Sequence, residues 1–171
     1  MNLQETRKKV LNALYEVYME NPGGIMDVTS IIKEQGGDPY EIGSYLKDYD
    51  LIRDVRFGPG MVHARISLAG IEEVKPGYLK EKTENVISAL GLLGKADLME
   101  ILSFEQKDMI KARDIAGYLE SNGVIKQPMY GLKEVIIELT LEGREYYENN
   151  KPFSFNWKVQ MKNKKVLSSS L

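Results

Sequence analysis

The chain has 171 residues, 43% of them apolar and 28% charged, with a net charge of −2 and no cysteine. This is the composition of a soluble globular protein, and the missing cysteines exclude disulfides, thiolate nucleophiles, cysteine zinc fingers and iron–sulfur clusters. No run approaches the roughly 18 apolar residues of a membrane span and the N-terminus does not read as a signal peptide, so a cytoplasmic location is expected.

Along the chain the charge is uneven. Residues 1–77 carry 9 basic and 12 acidic side chains, residues 78–150 carry 9 and 13, and residues 151–171 carry 5 and none. Two acidic domains of about 75 residues, each near the lower size at which one core suffices, and a basic tail are the implied division.

Leu3, Val10, Leu11, Leu14, Val17 and Tyr18 have the spacing of a helix with one buried stripe, which Asn21-Pro22-Gly23-Gly24 ends. A second helix is expected from Met26 to Glu34. The third has the clearest start signal: Asp38 as cap, Pro39 in the first turn and Glu41 three residues after the cap. It runs to about Asp48 with Ile42, Tyr45, Leu46 and Tyr49 inward. Strands follow near 51–57 and 61–68 around the turn Gly58-Pro59-Gly60, and Ser67 caps a short helix that reaches Val74. Lys75-Pro76-Gly77 marks the boundary at residue 77.

The second domain, 78–150, repeats this order. A helix near 80–93 places Val86, Ala89, Leu90 and Leu93 at an offset of 76 from Val10, Ala13, Leu14 and Val17; Gly91 within it reads as a site of close packing. Asp97 opens a short helix, a third helix covers 108–121, a hairpin spans 124–141 and a last helix spans 141–148. The offset falls to 73 by residue 118, which implies a short deletion.

The strongest signal is the repeat itself. Residues 45–74 and 118–147 superimpose without a gap, with Tyr45/Tyr118, Leu46/Leu119, Ile52/Ile125, Gly58/Gly131, Val62/Val135, Leu68/Leu141, Gly70/Gly143 and Glu72/Glu145 identical. A period of this length found twice is a domain duplication. The order of helices, strands and glycine turn resembles the winged-helix regulators of the MarR, PadR and ArsR type. The resemblance implies an α+β, mainly helical fold of two tandem winged-helix domains, with the third helix of each in the major groove and the wing on flanking DNA.

On that resemblance the chain is expected to be a DNA-binding protein acting in transcription regulation, with Arg53, Arg56 and Arg65 of the first wing and Lys107, Lys111 and Arg113 of the second third helix on phosphates. The acidity of both domains supports an alternative. That is a protein-interaction scaffold without DNA binding, similar in architecture to segregation-and-condensation protein B and the ESCRT-II subunits. No cofactor, metal or catalytic residue is expected: Gly58-Pro59-Gly60 lacks the lysine of a phosphate loop, and the single histidine, His63, makes no triad or metal cluster.

In the tail, Phe153, Phe155, Trp157, Val159 and Met161 alternate with polar residues, the pattern of a strand with one apolar side. Burying each such side chain is worth about 1.5–3 kcal/mol. A partner is therefore expected for this side, either a wing edge of the same chain or one of a second copy.

Overall fold

Asn2 opens the first helix, α1 (Leu3–Glu20), by accepting hydrogen bonds from the Gln4 and Glu5 amides at 3.1 and 3.3 Å, which satisfies two donors that a helix start leaves free. The structure, a computed structural model, describes residues 1–149. After α1 come β1 (Met26–Asp27), α2 (Thr29–Glu34), α3 (Pro39–Asp48), β2 (Ile52–Gly58), β3 (Met61–Ile66) and α4 (Leu68–Val74). The second half holds α5 (Tyr78–Leu93), β4 (Lys95–Asp97), α6 (Leu98–Ile101), a 3-10 turn (Gln106–Asp108), α7 (Met109–Ser121), β5 (Met129–Tyr130), β6 (Val135–Glu138) and α8 (Leu141–Glu148). The fold is thus α+β, with two antiparallel three-stranded sheets ordered β1-β3-β2 and β4-β6-β5. Among the described residues no helix is long and apolar enough to cross a membrane.

The halves share register as well as order. Ile52 faces Ile66, Arg56 faces His63 and Phe57 faces Val62 in the first hairpin. At an offset of 73 the second pairs Ile125 with Leu139, Met129 with Ile136 and Tyr130 with Val135. Each β2-side strand therefore carries one residue more than its partner over this stretch, and in the first half the excess is absorbed at Asp54, whose φ is 51°.

Capping repeats too: Ser67 and Thr140 each accept from the amide three residues on, of Gly70 and Gly143, at 3.0 Å. Those two glycines are required, because a Cβ at Gly70 would collide with the Leu51 carbonyl and one at Gly143 with the Val124 carbonyl. The helix after each hairpin thereby lies directly on the backbone that enters the hairpin.

Three expectations need correction. Met26 and Asp27 form a strand against Ala64 and His63, and the second helix starts only at Thr29, whose amide donates to Asp27 at 2.9 Å. The equivalent strand pairs Ala96 with Ile137, an offset of 70 from Met26, so the second half loses six residues after its first helix and regains three before α7. Tyr49 is exposed, its ring tilted against that of Tyr45 with centres 4.6 Å apart, and does not enter the core. Asp38 does cap α3 through the Glu41 amide at 2.9 Å, with Pro39 in the first turn.

Two apolar cores result. Val10, Leu14, Ile32, Leu46, Val62 and Ile66 centre the first, and Val86, Leu90, Leu98, Ile115, Leu119 and Ile137 centre the second. Tyr78 and Leu79, the first residues of α5, are buried in the first core. Volume is traded between the halves where first helix meets last: Tyr15 and Val74 line the first core, whereas at the same offsets the second half has Gly91 and Tyr147, and a Cβ at Gly91 would strike the Tyr147 ring. Gly91→Ala should therefore destabilise by about 1–3 kcal/mol through overpacking despite the better helix propensity of alanine. Adding Tyr147→Val should recover part of that loss, measured as a favourable coupling of at least about 0.5 kcal/mol in a denaturant double-mutant cycle.

Candidate functional site

The side chains with the most specific chemistry gather where the halves meet. Arg53 leaves β2 and Asp114 leaves α7, and the guanidinium grips the carboxylate with both terminal nitrogens, Nη1 to Oδ1 at 2.7 Å and Nη2 to Oδ2. A forked pair of this kind fixes direction as well as distance. The Arg53 side chain is 32% exposed and that of Asp114 12%, so water screens the pair only in part.

One turn earlier on α7, Lys111 is buried, donates to Asp108 at 3.0 Å and sits 5.4 Å from the centre of the Tyr18 ring at the end of α1. Ile110 packs at Gly23, where a Cβ would lie 2.8 Å from its Cδ1. Tyr118 touches both cores. Residues 110, 111, 114 and 118 are one helical face, so α7 is seated on the first half along that face.

Local sequence explains the seat. Arg53 lies opposite Arg65 across the hairpin, and like charges at facing positions repel; each finds its own carboxylate, Arg53 taking Asp114 and Arg65 taking Asp54. In the second half the same two positions hold Lys126 and Glu138, which pair with each other. Burial opposes ionisation of Asp108, but the hydrogen bonds from Lys111 and the Glu105 amide outweigh it and hold the carboxyl below its ordinary value of 3.8. Burial pushes the Tyr18 and Tyr118 phenols up, so both stay neutral.

The six cations expected to meet phosphate are thus dispersed. Arg53 and Lys111 lie in the seam, Arg65 is paired on the hairpin, and Lys107 is exposed with Glu105 at 3.5 Å. Arg56 and Arg113 are exposed, the latter 5.7 Å from the Tyr130 ring centre. Phe153, Phe155, Trp157, Val159 and Met161 lie outside the described residues. Asp114 and Tyr18 are not legible as site residues in the sequence, because their partners Arg53 and Lys111 stand far away along the chain: 61 positions separate Arg53 from Asp114.

Elsewhere, an open hollow of 320 Å³ lies between α1 and α4, lined by the cations Arg7 and Lys8, of which Arg7 is met by Glu73 at 2.6 Å and the Tyr45 hydroxyl at 3.4 Å. Among the described residues no group of three side chains is placed to hold a metal ion. Comparison with protein-family models, characterised proteins and solved structures gave no match.

Two outcomes follow. Arg53→Ala and Asp114→Ala should each cost about 1–3 kcal/mol, and a denaturant double-mutant cycle should give a coupling of about 1–2 kcal/mol, discounted for the partial exposure of Arg53. Asp108 has a folded-state pKa below its unfolded value, so its contribution is complete above the unfolded value and is lost as pH falls through the folded one. In acid titrations, Asp108→Asn should remove that part of the stability loss below the ordinary aspartate range and leave the profile near neutrality flat.

Proposed function

We propose that the protein is a tandem winged-helix scaffold that binds another protein, its two halves held together as one unit. The winged-helix part is supported by the repeated order of three helices and a hairpin, with α3 and α7 each packed beneath its own hairpin. One observation carries the functional part: the face of α7 formed by Ile110, Lys111 and Asp114 is turned to the first half, and Arg53 of the first hairpin is engaged there with it. In DNA-binding winged helices that helix enters the major groove, whereas here part of its surface and one of its expected cations, Lys111, serve the seam, together with Arg53 of the first hairpin.

The remaining surface agrees. Each half is net acidic, which opposes a phosphate backbone. Among the exposed groups at α3 and the first hairpin are the apolar Tyr40 and Phe57, with ring centres 4.9 Å apart, and Met61. Aromatic residues and methionine are enriched where proteins bind proteins. A second reading, a DNA-binding regulator, is favoured by Arg56 and Arg113, which are exposed on the first hairpin and on α7.

Titration of random duplex DNA over a range of salt separates the two. The scaffold reading expects no binding at low ionic strength, in the wild type or in Arg56→Ala and Arg113→Ala variants. Binding whose log K falls steeply with log salt, with a slope that shrinks by about 0.9 for each arginine removed, would establish the regulator and overturn the scaffold.

A further inference from the structure

Among the described residues β2 is the outer strand of the first sheet, in the order β1-β3-β2, and the register tells which of its backbone groups point outward. Val62 of β3 uses both of its main-chain groups on the far side: its amide donates to the Thr29 hydroxyl at 2.9 Å, and its carbonyl accepts from the Val28 amide at 3.0 Å. Phe57, which faces Val62 across the hairpin, therefore stands in a pair that shares no hydrogen bond. In an antiparallel ladder such a residue turns its own amide and carbonyl away from its partner strand. The two groups are a template for a further strand.

The side chains around this edge sort by face. Arg56, His63 and Asp27 are successive partners across β2, β3 and β1, and so share the outer face. His63 has Asp27 at 3.9 Å, and Arg65, two residues further along β3, is paired with Asp54. Both of these carboxylates are thus engaged, which leaves Arg56 as an exposed cation without a carboxylate among the described residues. Lys33 adds a cation at the turn, where a Cβ at Gly60 would lie 3.8 Å from its Nζ. Phe57 points to the opposite face, because successive residues of a strand alternate. It rests against α3 at Gly43, where a Cβ would lie 2.9 Å from its ring, and meets the exposed ring of Tyr40.

In the second half the corresponding edge is closed. At the offset of 73, Pro128 stands in place of Val55, and proline blunts a strand edge because it has no amide to offer. The strand there is reduced to Met129–Tyr130. Ala116 replaces Gly43, and Tyr130 meets Arg113 where Phe57 meets an aromatic ring.

We propose that β2 receives an extended segment of a partner protein by strand addition, and that this segment alternates apolar and acidic side chains. The inference rests on the scaffold reading and names the chemistry of its partner. A residue set beside Phe57 shares its face and lies on the shelf made with Tyr40, so it is apolar. Its neighbour points the other way, beside Arg56, so it is acidic. Only residues 55–58 lie between the bulge at Asp54 and the turn, so the ladder is short and these side chains decide the choice of partner. A second copy of β2 would bring another Arg56 to the same face, where like charges repel. Arg56 therefore rejects a copy of its own chain while it attracts an acidic segment.

Fluorescence anisotropy of the full chain with a labelled octapeptide of alternating valine and glutamate tests this. The wild type should bind that peptide, and should bind one with lysine for each glutamate at least about fivefold more weakly. Arg56→Glu should reverse the preference, whereas Arg113→Glu, on α7, should leave it unchanged. Phe57→Ser, folded by circular dichroism, should weaken binding of the glutamate peptide. The same peptide with every backbone nitrogen methylated has no donors for a ladder and should not bind. Absence of binding by the wild type, equal binding of the lysine peptide, a preference that Arg56→Glu does not reverse, or binding that survives methylation would each overturn the proposal. So would a wild-type dimer in sedimentation that Phe57→Ser dissolves, which would assign the edge to a second copy. Failure here without binding to duplex DNA leaves the scaffold reading in place, whereas salt-steep duplex binding overturns the scaffold itself.

Discussion

The forked pair between Arg53 and Asp114 determines how the two halves stand to one another. Two charged groups in a partly buried seam lose hydration, and they recover it only when both prongs of the guanidinium meet both carboxylate oxygens. Small errors of placement leave a charge unpaired, so the pair acts as a positional lock. Lys111 extends it: its stem is buried, and its ammonium is met by Asp108 on one side and the face of Tyr18 on the other. Around this polar centre Ile110 and Tyr118 supply apolar contact, so α7 is committed to the seam on one side and to the second core through Ala112, Ala116 and Leu119 on another, which leaves Arg113 exposed between them.

The duplication separates what the backbone requires from what the surface is free to vary. Gly70 and Gly143, Ser67 and Thr140, and the unequal hairpin strands all recur, because each fixes a close approach of main chain to main chain. Positions with side chains pointing away have diverged in charge and size. Opposite arginines in one hairpin become a lysine and a glutamate in the other, and that change alone switches the pairing from outward to local. Tyr15 with Val74 and Gly91 with Tyr147 show the same freedom inside a core, where the summed volume is conserved and the distribution is not.

Helices and hairpins were legible because their signals are local. Asp38-Pro39 and Ser67 are read within four residues, and the ungapped repeat carried the first half's register onto the second. Met26 and Asp27 misled because two residues of strand are too short for any period to register, and the asparagine, glycine and proline before them look like any helix–helix connection. Tyr49 misled because helical spacing assigns a face, while the core beneath α3 ends one turn earlier. The seam is not legible in the sequence: Arg53 and Lys111 have the residue types of a phosphate-binding surface, and what places them in the seam, Asp114 for one and the Tyr18 ring for the other, stands far away along the chain.

The exposed sides of the two halves have therefore diverged on a common frame. Tyr40 of α3 meets Phe57 with tilted rings, and at the same two positions of the second half stand Arg113 of α7 and Tyr130, an aromatic pair replaced by a cation over an aromatic ring. Lys47 on the first helix becomes Glu120 on the second, and Met61 at the first turn becomes Glu134. A duplicated domain that read one repeated target would be expected to keep these positions alike, since both copies would meet the same chemistry. Their divergence, on two halves held in one orientation by Arg53 and Asp114, suits a molecule that presents two different surfaces side by side. Such an arrangement serves a scaffold joining unlike partners better than a pair of equivalent readers.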